Sequence, residues 1–211
     1  MSLQEQRTAT GQLLLTAASL LVTEPNEKLC VMLRQVGCQL SLKQLRQRFY
    51  DRLCMPQSGW YLPPYEQVFK KRYRVENVWH FPAAQYDQAV QVENIYAHYA
   101  FRHDLLCVHP LLRGVHPGDH LGFMLVFVGS LLNQSLQGED WAGLRPELNG
   151  FVQAHLDWLK DFCALLPVGD DSGYLAAVAD ALREAMTSLD VLLSAHEFST
   201  PQQPLFCRWP R

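Results

Sequence analysis

The stretch Ser41-Leu42-Lys43-Gln44-Leu45-Arg46-Gln47-Arg48-Phe49-Tyr50-Asp51-Arg52-Leu53 decides how this chain of 211 residues is read. Ser41 and Gln44 stand at the spacing of a capping box, in which each side chain satisfies a backbone N–H that a helix start leaves without a partner. Leu42, Leu45, Phe49 and Leu53 follow at i, i+3, i+7 and i+11, one apolar stripe on a 3.6-residue helix. A strand would need alternation of period two, which is missing here.

The same spacing recurs outward in both directions. Thr8 to Val22 predicts a first buried helix. Pro25-Asn26-Glu27 opens a second, with Leu29, Met32, Leu33 and Val36 on one face and Gly37 to stop it. Met55 to Pro64 reads as a loop by its prolines and Gly59, and Tyr65 to about Arg72 starts a short helix directly after Pro64. Pro82 to about Tyr99 predicts another helix, with Tyr86, Val90, Ile95, Tyr96 and Tyr99 available for packing. His103 to Gly118 holds two prolines and two glycines and reads as a long irregular connection. Asp119 is placed to cap an apolar helix bearing Leu121, Met124, Leu125, Val128, Leu131 and Leu132. Helices over about Arg145–Leu166 and Asp171–Phe198 complete the set, before a Pro-rich irregular tail, Ser199–Arg211. Seven or eight helices without a convincing sheet predict an all-α fold. The expected organisation is one helical domain over 1–211, with topological halves of about 1–108 and 109–211.

Composition narrows the function classes. With 48% hydrophobic residues the chain can build a real core, and a net charge of −3 with a pI near 6.2 gives no general attraction to nucleic acid or anionic lipid. The uncharged stretch Thr8–Thr23 lacks signal-peptide flanks, and Leu121–Gly138 is too polar for a membrane span. Six scattered cysteines without a CxxC pair read as free thiols in a reducing compartment, so a cytoplasmic location is expected.

Two constellations carry possible chemistry. The first is His109-Pro110 with His116-Pro117-Gly118-Asp119-His120. It is compatible with a loop and helix cap, with a surface for a partner, or with a metal-dependent hydrolase built on His109, His116, Asp119 and His120. Pro117-Gly118 weakens the metal reading, because i, i+4 ligands share a face only on a continuous helix. The second is Trp60-Tyr61-Leu62-Pro63-Pro64-Tyr65-Glu66-Gln67-Val68-Phe69. Aromatic side chains on a proline-stiffened loop offer contact area at low ordering cost, and Tyr65 with Phe69, one turn apart, fit core packing equally well. No GxSxG, phosphate-binding loop, GxGxxG or HExxH is present, so the reading is of a protein that is not an enzyme and needs no cofactor.

Together these constellations resemble the TorD/DmsD/NarJ family of redox-enzyme maturation chaperones. Tyr50-Asp51-Arg52-Leu53-Cys54 with Pro63-Pro64-Tyr65-Glu66-Gln67-Val68-Phe69 is similar to the family's aromatic-x-x-Leu-Phe and Pro-Pro-Tyr-Glu-Ser-Val-Tyr pattern. Pro117-Gly118-Asp119-His120-Leu121-Gly122 resembles its Pro-x-Asp-His-hydrophobic-Gly pattern, and Val92 to Phe101 a weaker segment between the two. Cys54 and Gln67 depart from the usual residues. The resemblance implies an all-helical cytoplasmic chaperone that binds the twin-arginine signal peptide of a molybdenum-cofactor oxidoreductase of the DMSO/TMAO reductase type. It also implies contact with the catalytic subunit, and a monomer or helix-exchanged homodimer. The implied peptide site comprises Tyr50, Leu53, Trp60, Pro64, Tyr65, Glu66, Phe69, Pro117, Asp119 and His120. A single groove requires segments 50–69 and 116–121 to lie side by side, and Asp119→Ala or His120→Ala is expected to weaken peptide binding without unfolding the protein.

Overall fold

Helix α1 (Leu3–Val22) forms the spine of the computed structural model, which describes residues 2–85, 89–112, 117–134 and 141–194. It starts five residues before the expected Thr8, because Ser2 and Glu5 form a second capping box: Glu5 N–H donates to Ser2 Oγ (3.2 Å) and Ser2 N–H to Glu5 Oε2 (2.7 Å). Against α1 packs α6 (Leu121–Gln134), ten of whose fourteen residues are buried, so it is covered on all sides. The two helices run antiparallel and close together through glycine. A Cβ on Gly129 would lie 3.1 Å from Leu15 Cγ and 3.2 Å from the Gly11 carbonyl oxygen. On another side of α1 lies α9 (Tyr174–Ser194), tied to it by the Thr10 and Ser188 hydroxyls at 2.7 Å.

The short helices clothe this centre. In α2 (Glu27–Gln35), capped by Asn26, Cys30 and Leu33 turn inward. Met32 and Val36, expected on the buried face, are exposed, because only a narrow side of this short helix meets the core before Gly37 (φ +93°) turns the chain. Helix α3 (Leu42–Phe49) has the predicted capping box, and Leu45, Phe49 and Leu53 are buried at its core face. It widens into a π-helical turn at Tyr50–Cys54, closed by Met55 N–H to Tyr50 O at 2.9 Å.

Four expectations are corrected. The short helix after Pro64, α4, covers only Glu66–Lys70. An antiparallel hairpin follows it, β1 (Tyr73–Val75) and β2 (Val78–His80), joined by Glu76 and Asn77 at φ +46° and +67°, the conformation of a type I′ turn. The helix placed from Pro82 is α5, Val90–His98, and the residues from Phe81 to Gln85 are irregular. The helix expected over Arg145–Leu166 is two, α7 (Trp141–His155) and α8 (Leu159–Leu165), separated at Leu156–Trp158. Tyr86, His116, the end of the last predicted helix and the tail Ser199–Arg211 lie outside the described residues. The hairpin leaves the class unchanged: the fold is all-α, and no described helix is long and apolar enough to cross a membrane.

Candidate functional site

The two motif segments meet main chain to main chain. Tyr65 and His120 form an isolated antiparallel bridge; Leu121 N–H donates to Pro64 O (2.7 Å) and Glu66 N–H to Asp119 O (3.1 Å). The Asp119 carboxylate accepts from Gln67 N–H at 2.8 Å and from the Gln67 side-chain amide at 3.4 Å. It therefore caps α4 from across the fold rather than its own helix α6, satisfying donors that Tyr65, with no side-chain cap, leaves open. The third matched segment closes the junction from α5. Tyr96 Oη donates to Gly118 O (2.9 Å), and Gly118 N–H donates to Glu93 Oε1 (3.2 Å). A Cβ at residue 118 would lie 2.8 Å from Glu93 Cγ, so any side chain here would displace Glu93 from this bond.

Burial divides the ten candidate residues. Leu53, Pro64, Tyr65, Phe69, Pro117, Asp119 and His120 are buried, the last two at 2% and 0% exposure. Their contacts are structural: the His120 ring packs edge-on against Tyr65 with centroids 5.1 Å apart, while Nδ1 accepts from Gly122 N–H at 3.0 Å. Phe69 packs against the rings of Phe81, Trp158 and Phe162 in tilted and edge-on contacts. Burial pushes the Asp119 carboxyl above its ordinary pKa, although the bonds from Gln67 oppose this. Such positions do not tolerate truncation freely, so the expectation that Asp119→Ala leaves the fold untouched does not follow from this geometry.

Tyr50, Trp60 and Glu66 are the candidates that remain partly exposed, and each sits in its own setting. The Tyr50 hydroxyl donates to the Glu24 carboxylate and lies 3.2 Å from His109 Nε2, whose Nδ1 accepts from Leu111 N–H at 3.2 Å. The bond to Glu24, with burial second, pushes the Tyr50 pKa up to about 12. Beside Tyr50 a shallow cavity of about 380 Å³ is lined by Leu42, Lys43, Arg46 and Gln47. Trp60 lies under the guanidinium groups of Arg48 and Arg52, at 4.9 and 5.3 Å. Arg52, which sequence reasoning passed over, is buried: Nε and Nη2 donate to the Leu166 and Leu165 carbonyls at the end of α8, and Nη1 to Trp60 O at 2.7 Å. Burial lowers its pKa to about 10. Its only sequence signal is a charge on the predicted inner side of the stripe, two residues past Tyr50.

Glu66 is the motif carboxylate with a route to the surface. Its Oε2 accepts from His155 Nδ1 at 2.9 Å, and its Oε1 lies 2.9 Å from Lys70 Nζ. Lys70 also reaches Asp157 (2.8 Å), which is 57% exposed at its side chain, and donates to Ala154 O (2.8 Å). Burial alone would lower the Lys70 pKa; hydrogen bonds to Asp157 and Glu66 more than reverse it, leaving it raised. His155 and Asp157 enter this network from α7 and the turn after it, a partnership invisible in sequence because 89 residues separate Glu66 from His155. For the metal reading, His109 points at Tyr50, Asp119 at Gln67 and His120 at Gly122; among the described residues no three His, Cys, Asp or Glu side chains converge to hold an ion.

Comparison with known proteins supplies the family. No curated protein and no solved structure matches the chain. Residues 21–164, which contain all three junction segments, match the family model described as nitrate reductase delta subunit. That is more than half of the chain, and the chain therefore belongs to the nitrate reductase delta subunit family, a redox-enzyme maturation family of non-catalytic molybdoenzyme assembly chaperones.

Proposed function

We propose that this chain is a cytoplasmic chaperone that binds the twin-arginine signal peptide of a molybdenum-cofactor oxidoreductase and attends its catalytic subunit until cofactor insertion is complete. The observation that carries the reading is the family match, which spans the junction where segments 50–69 and 117–121 are bonded together. The family's description makes a nitrate reductase the first client to test, ahead of a DMSO or TMAO reductase.

Within this reading the ten candidate residues divide by role. Glu66 receives an arginine of the peptide, competing with the Lys70 ammonium that now holds it. A guanidinium presents two parallel N–H donors to a carboxylate where an ammonium presents a point charge, so exchange favours the incoming arginine. The exposed carboxylate of Asp157 lies close enough to share Lys70 and is suited to the second arginine. Tyr50 and Trp60 offer apolar surface to the segment that follows. Leu53, Pro64, Tyr65, Phe69, Pro117, Asp119 and His120 hold the bonded junction that positions Glu66.

The test is isothermal titration of the full chain with a synthetic peptide carrying paired arginines before an apolar stretch, against the same peptide with paired lysines. The arginine peptide should bind at least about tenfold more tightly, and Glu66→Gln should remove most of that preference. Equal affinity of the two peptides for the native chain would overturn the assignment.

A further inference from the structure

The β1–β2 hairpin is an exposed, apolar arm whose strands carry one charged side chain, Arg74. Ahead of it, Lys70 is held by Glu66 and Asp157 and Arg72 by Asp161, so Arg74 is the cation that the arm itself presents, with Glu76 in its turn. Tyr73, Val75 and Val78 are 55%, 48% and 58% exposed, an unusual concentration for side chains that favour burial.

The register specifies what each side of the arm offers. Val75 and Val78 flank the two-residue turn and exchange hydrogen bonds, as do Tyr73 and His80 two residues on; Arg74 and Trp79 form the intervening non-bonded pair. Arg74 accordingly directs its main-chain N–H and C=O along the outer edge of β1, where no hydrogen bond from another described residue meets them. Tyr73, Val75, Val78 and His80 share one face, with the Tyr73 and His80 rings stacked at 5.4 Å. Arg74 and Trp79 share the other. There Arg72 spans from Phe69 (4.3 Å) to Trp79 (5.1 Å) and fixes the arm to the body, while Arg74 lies 5.5 Å from the Trp79 ring.

We propose that β1 accepts an added strand from a partner polypeptide whose sequence alternates apolar, acidic and apolar residues. A strand laid antiparallel to β1 bonds to the Arg74 main chain, and its residue opposite Arg74 falls on the Arg74 face, where a carboxylate meets the guanidinium. Its two neighbours fall on the other face and extend the Tyr73–Val75 surface. Charge selects this occupant over a second copy of the chain. Two β1 edges paired antiparallel about their central residue would set one Arg74 guanidinium opposite another, which disfavours that pairing. The surface is distinct from Glu66 and stands without the signal-peptide reading.

The experiment is nuclear magnetic resonance of the ¹⁵N-labelled full chain, titrated with acetylated Thr-Val-Glu-Val-Thr amide and with its Thr-Val-Lys-Val-Thr counterpart. The amides of Arg74 and its neighbours should shift saturably, with the acidic peptide about fivefold tighter and its advantage shrinking in about 500 mM NaCl. In Arg74→Glu the order of the two peptides should reverse, an outcome that misfolding does not produce. The proposal fails if neither peptide gives saturable shifts at the hairpin, or if the preference for the acidic peptide survives Arg74→Glu. It also fails if the hairpin amides of the native chain shift with protein concentration alone, which assigns the edge to a second copy.

Discussion

Asp119, one residue of the matched motif, spends its carboxylate on contacts within the fold. Its oxygens are occupied by Gln67, and it is almost completely buried. Asp119→Ala should cost about 1–3 kcal/mol, because it strands the Gln67 N–H at the start of α4. Asp119→Asn should cost less, since an amide oxygen still accepts that N–H without the penalty of a buried charge. The pH dependence separates the two contributions. Asp119 has its pKa raised in the folded chain, so it holds its proton more tightly folded than unfolded. The stability this group contributes is fully present below the ordinary carboxylate pKa and is lost as pH rises through the folded value. Urea midpoints measured from about pH 4 to pH 7 should therefore fall more in the native chain than in Asp119→Asn. Parallel pH profiles would show that the carboxyl does not titrate differently on folding. At this scale the sequence made the residue types visible but not their partners: Asp119 stands two residues before α6 and reads as its cap, while the donor it satisfies is 52 residues upstream.

At the scale of elements, helix starts were the legible feature. Ser41 and Asn26 cap α3 and α2 as their spacing requires, and the Ser2–Glu5 box was equally readable ahead of the expected start at Thr8. The hairpin was the least legible. Tyr73 to His80 alternates around Glu76-Asn77, but three-residue strands give too short a period, and the turn lacks the glycine that normally marks type I′. The break between α7 and α8 was hidden for a related reason, since Leu156, Trp158 and Leu159 are all buried and keep an apolar run across the interruption. Contact between α1 and α6 depends on Gly129, where any side chain would strike Leu15 and the Gly11 carbonyl. Gly129→Val should push the helices apart and cost about 2 kcal/mol or more, a fall in Tm of about 4–8 °C by calorimetry. An unchanged Tm would mean that the crossing has slack.

For the whole molecule, α1 is the organising element, since α6 and α9 both pack on it and Leu14, Ala17, Ala18 and Leu21 are buried between them. Deleting residues 2–22 should leave a chain that binds ANS and loses near-ultraviolet circular dichroism, because two long apolar faces lose their cover at once. A truncated chain that unfolds cooperatively like the native one would contradict this. The sequence by itself determined the all-α class, most helix positions and the family resemblance, because helix periodicity, caps and short motifs are local patterns. Tertiary structure alone decided which motif residues are walls and which are accessible, because burial depends on neighbours far along the chain. It put Asp119 and His120 inside, tied Glu66 to His155 and Lys70, buried Arg52 over the Trp60 ring, and stood an exposed hairpin bearing Arg74 out from the body. Main-chain bonding between residues 64–67 and 119–121 links parts of the chain more than fifty residues apart, and no local pattern encodes that distance.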